Sequence, residues 1–123
     1  MKRIMVVDDE EDIRAIVSKM LEKEGYEVTA VESGQKCLDL LKAGERPDLI
    51  LLDVMMPGMD GWETCRAIRD NRETKDLLVS MLTVRAEDED KMKSMGYAAA
   101  NWHISKPIEK HRFIKTVKWL LDE

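Results

Sequence analysis

The chain has 123 residues, of which 44% are hydrophobic and 37% are charged, and its formal net charge is −5. This length suits one compact domain, and the composition is that of an ordinary globular protein. The acidic balance argues against a nucleic-acid-binding groove. No apolar run reaches the ~18 residues of a membrane helix or the ~7–15 residues of a signal-peptide core, so we expect a cytoplasmic protein. Its two cysteines, Cys37 and Cys65, have neither CxxC nor metal-site spacing, and we predict that both are reduced.

Five short apolar segments have the length and composition of β-strands. The central ones are continuously apolar rather than alternating, which is typical of strands that are covered on both faces. The predicted strands are Arg3–Val7, Tyr26–Val31, Leu49–Leu52, Leu77–Leu82 and Trp102–Ser105. Segments of helical length separate them, so the chain alternates strand and helix. This order predicts an α/β fold with a parallel sheet between two layers of helices.

Five helices are predicted, and the first and the last have the clearest patterns. The first ends at Gly25, because glycine readily accepts the left-handed conformation at a helix terminus. The apolar stripes are Ile13, Ile16, Val17, Met20 and Leu21 in the first helix, and Phe113, Ile114, Val117, Leu120 and Leu121 in the last. The fourth helix, about Ala86–Met95, has an acidic start and a thin apolar face. It is either a solvated charged helix or one marginal enough to move in a switch.

Polar residues stand at the carboxyl ends of four predicted strands. These residues are Asp8 and Asp9, Asp53, Thr83, and Lys106. Binding sites in parallel α/β sheets lie beyond the carboxyl ends of the strands, so these side chains are expected to meet. Mg2+ prefers carboxylate and carbonyl oxygens, which the three aspartates and the backbone carbonyl of Met55 can supply.

Each of these residues also has a purely structural explanation. Aspartate is a favoured N-cap of the following helix, and a lysine at a strand end most often lies on the surface. The combination is harder to explain in that way, because carboxylates ~5 Å apart repel by about 3 kcal/mol per pair at an effective dielectric of about 20. Mg2+ and Lys106 are the two cations that could offset this cost. An aspartate can attack phosphorus, so the cluster predicts a magnesium and phosphoryl site with Asp53 as the acceptor.

The chain resembles the receiver domain of two-component response regulators over essentially its whole length. The motifs that carry the resemblance are Val6-Val7-Asp8-Asp9-Glu10, Leu51-Leu52-Asp53-Val54-Met55-Met56-Pro57-Gly58-Met59-Asp60-Gly61, Thr83 after the fourth strand, and Lys106-Pro107. The resemblance implies a flavodoxin-like (βα)5 three-layer sandwich whose five-stranded parallel sheet has the order 2-1-3-4-5. It also implies that residues 1–123 form a single receiver domain, with no output domain in this chain.

The resemblance implies that Asp53 is the phosphorylation site. It would receive the phosphoryl group from the phosphohistidine of a sensor histidine kinase or a phosphotransfer protein. Mg2+, with Mn2+ as an alternative, would be bound directly by Asp9, Asp53 and the carbonyl of Met55, and by Asp8 mainly through water. The domain would catalyse only its own phosphotransfer and autodephosphorylation, so it would be a signalling switch rather than an enzyme.

Lys106 is implied to contact the phosphoryl group, and its peptide bond with Pro107 to be cis. Thr83 is implied to move toward the phosphoryl group together with an aromatic residue three places before the lysine. That place holds His103, where the family commonly has Tyr or Phe. His103 is either a tolerated substitute or, in our hypothesis, a group that makes the switch respond to pH. Val84, where a small residue is common, either slows hydrolysis of the acyl phosphate or has no effect.

The resemblance also implies a downstream protein target that binds the face formed by the fourth helix, the fifth strand and the fifth helix. The fifth helix is basic, with Lys110, Arg112, Lys115 and Lys118. A charged face of this kind is either a docking surface or a means of solubility. We expect a monomer, with a phosphorylation-dependent dimer as the alternative, and no direct nucleic-acid or membrane partner.

Two other classes of protein compete with this interpretation. Phosphohydrolases of the haloacid dehalogenase type also use an aspartyl phosphate, magnesium and a lysine, but they need a second aspartate two residues after the nucleophile. Met55 stands at that place. A receiver-like scaffold that signals without phosphate would not explain why all the charged positions of the site are present.

Overall fold

The computed structural model of the protein describes residues 1–83 and 100–123. The strands in these ranges are β1 (Arg3–Val7), β2 (Glu27–Val31), β3 (Leu49–Asp53), β4 (Val79–Thr83) and β5 (Trp102–Ser105). The helices are α1 (Glu11–Lys23), α2 (Gly34–Lys42), α3 (Gly61–Asp70) and the C-terminal helix (Lys110–Leu120), which is the predicted fifth helix. The predicted fourth helix, about Ala86–Met95, and Val84 lie outside the described residues.

The five strands form one parallel sheet in the order β2-β1-β3-β4-β5, so the predicted fold is confirmed. β3 is the central strand, and every one of its residues is buried, which explains its continuously apolar sequence. β3 and β4 both end one residue later than predicted, at Asp53 and Thr83, and β4 also begins two residues later than predicted, at Val79. These two polar residues are therefore the last members of their strands, and the sheet itself holds their main chains in place.

Within the described residues, the core consists of two apolar clusters, one on each face of the sheet. Successive residues of a strand point to opposite faces, so β1 sends Met5 and Val7 into one cluster and Ile4 and Val6 into the other. The first cluster includes residues of α2 and α3, and the second includes residues of α1 and the C-terminal helix. Helices thus cover both faces of the sheet, and the edge at the carboxyl ends of the strands is left for polar side chains.

The cysteines and the helices of the described ranges also bear on the predictions. Cys37 and Cys65 are both buried in the first cluster and are not joined in a disulfide, as predicted. In α1, Val17 and Leu21 are buried, but the side chain of Ile16 is 50% exposed. The predicted apolar stripe is wider than the face of α1 that packs against the core, so Ile16 lies at the edge of the packed face. Among these helices, none combines the length and the apolar composition that crossing a membrane requires.

Candidate functional site

Three aspartates meet at the carboxyl ends of β1 and β3, which are neighbours in the sheet. Asp8 and Asp9 follow β1, and Asp53 ends β3. One carboxylate oxygen from each can be chosen so that all three lie within 4.8 Å of one another. Asp8 is completely buried and Asp53 is 5% exposed, whereas Asp9 is exposed. The cluster therefore has two buried members and one member at its mouth.

Lys106 brings a positive charge into this cluster from the other side of β4. Its Nζ lies 2.9 Å from Oδ2 of Asp8 and 3.1 Å from Oδ1 of Asp53. Its main-chain N–H donates to the carbonyl oxygen of Thr83 at 2.7 Å, so the residue just beyond β5 is still tied to β4. The Lys106–Pro107 peptide bond is cis. Only 9% of the Lys106 side chain is exposed, so its ammonium group is committed to the two carboxylates.

Every polar group of Asp8 has a partner within the protein. Its N–H donates to the carbonyl oxygen of Val31 at 3.1 Å, and its own carbonyl oxygen accepts from Nη1 of Arg14 at 2.7 Å. Its carboxylate accepts from the main-chain N–H of Glu10 at 2.9 Å and from Lys106. Asp8 therefore has little freedom to change position. The N-cap of α1 is Glu10, so the alternative in which Asp8 or Asp9 serves only as the N-cap is wrong.

The electrostatics of the cluster disfavour its negative charge. Burial, together with the charges of Asp8 and Asp9, raises the pKa of Asp53 to about 6, although Lys106 acts in the opposite direction. Burial lowers the pKa of Lys106, but its hydrogen bond to Asp8 and the charge of Asp53 outweigh burial, so the net change is upward. At neutral pH three carboxylates face one ammonium group. A further cation would offset the remaining charge.

The donor set fits a magnesium ion. The three side chains offer only carboxylate oxygens, which a hard, small divalent cation prefers over nitrogen or sulfur. Asp53 and Asp8 each have a buried carboxylate, so desolvation favours binding of a compensating cation. Met55 lies two residues beyond Asp53, with its side chain 52% exposed. The predicted use of its backbone carbonyl as a ligand stays a prediction.

The loop from β3 to α3 is held close to Asp53. Asp60 and Glu63 form a capping box in which each side chain accepts from the main-chain N–H of the other residue. The N–H of Gly61 donates to the carbonyl oxygen of Val54 at 2.9 Å. A Cβ at Gly61 would collide with the carbonyl oxygen of Asp53, so only glycine permits this approach. The Asp-Gly pair of the sequence motif thus fixes the loop beside the central carboxylate.

Thr83 and His103 lie on the neighbouring strands β4 and β5. Thr83 is 2% exposed and is in register with Ser105, two residues after His103. His103 is half-buried and its ring stacks on Trp102, with 5.9 Å between the ring centroids and an angle of 18° between the planes. Trp102 in turn makes an edge-to-face contact with Trp119 of the C-terminal helix, with centroids 4.9 Å apart. A ring contact therefore leads from β5 to the C-terminal helix.

The structure thus brings together Asp8, Asp9, Asp53 and Lys106, and it places Thr83 at the end of the strand between β3 and β5. Sequence reasoning missed the contacts of Glu10 and Arg14 with Asp8. The Glu10 contact spans two residues and follows from the Asp-Asp-Glu motif. The Arg14 contact has no comparable signal, because an arginine on a helix surface is ordinary.

Known proteins are similar to this chain along nearly its whole length. The family model that matches residues 4–118 is described as the response regulator receiver domain. A CheY-like response regulator receiver domain protein from Methanospirillum hungatei JF-1 is 35% identical, with a TM-score of 0.86 over 98% of this chain and 94% of that chain. The chemotaxis response regulator CheY4 of Vibrio cholerae is 33% identical, with a TM-score of 0.88 over 98% of each chain. Response regulator protein TrrA from Thermotoga maritima, solved in complex with Mg2+-BeF, is 34% identical, with a TM-score of 0.85 over 98% of this chain and 99% of that chain.

Proposed function

Because this chain belongs to the family of response regulator receiver domains, we propose that it is a phosphorylation-dependent switch whose phosphoryl acceptor is Asp53. The donor is the phosphohistidine of a sensor histidine kinase or of a phosphotransfer protein. The observation that carries the proposal is the contact of one buried lysine, Lys106, with two buried aspartates at the end of the central strand. Such a cluster is costly to bury, and accepting a phosphoryl group would explain why it is there.

The proposed reaction forms one bond and breaks one bond. A carboxylate oxygen of Asp53 attacks the phosphorus, the P–N bond to the histidine breaks, and its electron pair stays on the imidazole nitrogen. Lys106 donates to Oδ1 of Asp53, and no donor among the described residues is bonded to Oδ2. That arrangement leaves Oδ2 able to form the new bond. Lys106 would remain as a fixed positive charge beside the phosphoryl oxygens.

We assign Mg2+ binding to Asp9, Asp53 and the carbonyl of Met55, with Asp8 acting mainly through water. The exposed position of Asp9 and the buried, fully hydrogen-bonded position of Asp8 support this division of roles. Mg2+ at this site would offset the negative charge of the phosphoryl oxygens. The similar protein from Thermotoga maritima was solved with Mg2+-BeF, which supports the assignment of this metal.

We propose that Thr83 and His103 connect phosphorylation to the surface. The hydroxyl of Thr83 would donate to a phosphoryl oxygen, a contact that exists only in the phosphorylated state and can therefore shift a conformational equilibrium. His103 would move with Thr83. The ring of His103 stacks on Trp102, and Trp102 contacts Trp119, so this movement would shift the aromatic contacts with the C-terminal helix.

The surface that we propose for target binding includes β5 and the C-terminal helix. Trp119 is 62% exposed, which is unusual for so large an apolar side chain, and tryptophan is a frequent anchor in protein interfaces. The C-terminal helix also carries four basic residues, which are Lys110, Arg112, Lys115 and Lys118. The predicted fourth helix would complete this face. We propose a monomeric single domain for residues 1–123, which binds a protein target when phosphorylated.

A phosphohydrolase is the competing function, and the residue two places after Asp53 argues against it. Such an enzyme needs an acid–base group two residues after the nucleophile, and Met55, whose side chain is 52% exposed, stands there. A thioether can neither donate nor accept the proton that releases a leaving group. We therefore assign turnover only to the protein's own acyl phosphate.

Incubation with Mg2+ and acetyl phosphate, followed by intact mass spectrometry, tests the proposal. The wild-type protein should gain the mass of one phosphoryl group, and Asp53→Asn should not. Asp48→Asn is a matched control, because Asp48 accepts from the main-chain N–H of Arg3 at 2.8 Å at the opposite end of β3. Rapid turnover of many phosphoesters would favour the hydrolase. The absence of any mass gain in the wild type, with no response to beryllofluoride, would favour the scaffold.

A further inference from the structure

Arg14 of α1 reaches back along the chain to the loop that carries Asp8 and Asp9. Its Nη1 donates to the main-chain carbonyl oxygen of Asp8 at 2.7 Å, and the contact is partly buried. This carbonyl belongs to the peptide unit that links Asp8 to Asp9. A peptide unit is planar and includes the Cα atom of the following residue. A hydrogen bond to its oxygen therefore restrains the position of the Asp9 Cα atom and the direction from which the Asp9 side chain starts.

The beginning of α1 lacks the side-chain cap that α2 and α3 possess. Ser33 and Asp60 each accept a main-chain N–H at the start of α2 and α3, but Glu10 at the start of α1 makes no such bond. The only side-chain contacts to the main chain of this loop in the described ranges are those of Asp8 with Glu10 and of Arg14 with Asp8. These two hydrogen bonds therefore supplement the main-chain bonds of Asp8 with Val31 and of Arg14 with Glu10 in holding the loop.

Asp9 has no such support of its own. Its side chain is exposed, and no group in residues 1–83 or 100–123 donates a hydrogen bond to its carboxylate. A carboxylate oxygen of Asp9 still lies within 4.8 Å of oxygens of Asp8 and Asp53, despite the repulsion among the three. Its position is thus set by the main chain, which Arg14 holds from one side.

We propose that Arg14 is a positioning residue for the metal site, which aims the Asp9 carboxylate at Asp53 by restraining the Asp8–Asp9 peptide unit. The inference rests on the proposed Mg2+ site. Arg14 does not touch the ion. Groups that orient metal ligands typically change metal affinity by about 10–100-fold when they are removed, and we expect a value near tenfold for a single hydrogen bond to the main chain.

The direction of the effect separates positioning from simple electrostatics. If Arg14 acted only as a nearby positive charge, its removal would strengthen the binding of a cation, because like charges repel. Positioning predicts the opposite, since a loosened Asp9 must be ordered again when the ion binds. Arg14→Lys keeps the charge and one donor, so it should recover part of the affinity that Arg14→Ala loses.

Calorimetric titration of the metal-free full chain with Mg2+ tests the inference. The variants are Arg14→Ala, Arg14→Lys and, as a matched control, Arg46→Ala. Arg46 lies beyond the end of α2 and donates to the carbonyl oxygen of Leu41, near the end of that helix, at 2.7 Å. We expect about tenfold weaker binding in Arg14→Ala and unchanged binding in Arg46→Ala. Amide hydrogen exchange at Asp9 and Glu10, measured without metal, should be faster in Arg14→Ala and near the wild-type rate in Arg14→Lys.

Two results would overturn the inference while the proposed metal site stands. The first is that the wild-type protein binds Mg2+ and that Arg14→Ala binds it with equal or higher affinity. The second is an equal loss of affinity in Arg46→Ala, which would show that lower stability alone weakens the site. If Arg14→Ala does not fold, the Mg2+ affinity of Arg14→Lys is the test: an affinity below that of the wild type supports the inference, and an equal or higher affinity overturns it. Wild-type protein that does not bind Mg2+ would overturn the metal site and the inference together.

Discussion

Lys106 and Asp53 are joined by a contact of 3.1 Å between Nζ and Oδ1, although Asp53 ends β3, Lys106 follows β5, and β4 lies between these strands. The lysine side chain spans the end of the intervening strand and also reaches Asp8 at 2.9 Å. The contact therefore depends on the parallel alignment of β1, β3, β4 and β5. It makes the candidate site a property of the whole sheet rather than of any single segment.

Removal of the Lys106 charge should destabilise the protein. In Lys106→Met the buried carboxylates of Asp8 and Asp53 lose their shared cation, and we expect a loss of about 3 kcal/mol in the free energy of unfolding at pH 7. Lys118→Met is the control, because the Lys118–Glu24 pair has a similar distance of 2.9 Å but side chains that are 44% and 30% exposed. Urea unfolding of both variants checks the prediction, and equal losses would contradict it.

Asp53→Asn should stabilise the protein at neutral pH. The folded-state pKa of Asp53 is about 6, above its ordinary value of 3.8, so the folded state holds this proton more tightly than the unfolded chain. The resulting penalty is absent below about pH 4 and complete above about pH 6, and stability falls as the pH rises through this window. We expect Asp53→Asn to gain about 1–3 kcal/mol at pH 7 and to show a flatter pH dependence. The prediction would be contradicted by an Asp53→Asn variant that is no more stable than the wild type at pH 7, or whose stability depends on pH as steeply as that of the wild type.

Mg2+ should bind more weakly as the pH falls below about 6. The metal requires the ionised carboxylate of Asp53, whose pKa is raised to about 6 by burial and by its acidic neighbours. Each pH unit below that value is expected to weaken Mg2+ binding by up to about tenfold. The rise in melting temperature on addition of Mg2+, compared at pH 5 and pH 7, measures this effect. Asp53→Asn should show little rise at either pH, and an equal rise at both values in the wild type would refute the prediction.

We expect His103 to make the phosphorylated state respond to pH. The ring stacks on Trp102, so a change at His103 is expected to alter tryptophan fluorescence. We expect the ratio of active to inactive populations in the beryllofluoride-treated protein to differ between pH 5.5 and pH 8. His103→Tyr should reduce the difference to the part that weaker Mg2+ binding at the lower pH produces in both proteins. The same ratio at both pH values in the wild-type protein would end the hypothesis.

Local sequence patterns were sufficient for the strands and helices within residues 1–83 and 100–123 and for the edge of the sheet that carries the site. β1 and β5 begin and end as predicted, and β3 and β4 were recognised by their continuous apolar runs. The spacing of apolar residues in the sequence indicates which faces of an element are covered. β3 is covered on both faces, and its sequence is correspondingly apolar without alternation. The strand order 2-1-3-4-5 came from the family resemblance, because short apolar runs carry no record of their neighbours.

The depth and the connections of the site were decided by the tertiary structure alone. Asp8 and Asp9 are adjacent identical residues, yet one is buried with every polar group bonded and the other is exposed. This difference arises because Lys106 reaches Asp8 from a distant part of the chain and Arg14 reaches it from α1, six residues further along the chain. The sequence by itself determined which residue types stand at the strand ends. Only the packing of the sheet and helices determined which of them are desolvated. Desolvation is the largest cause of the raised pKa of Asp53, and it strengthens the interactions between the buried charges.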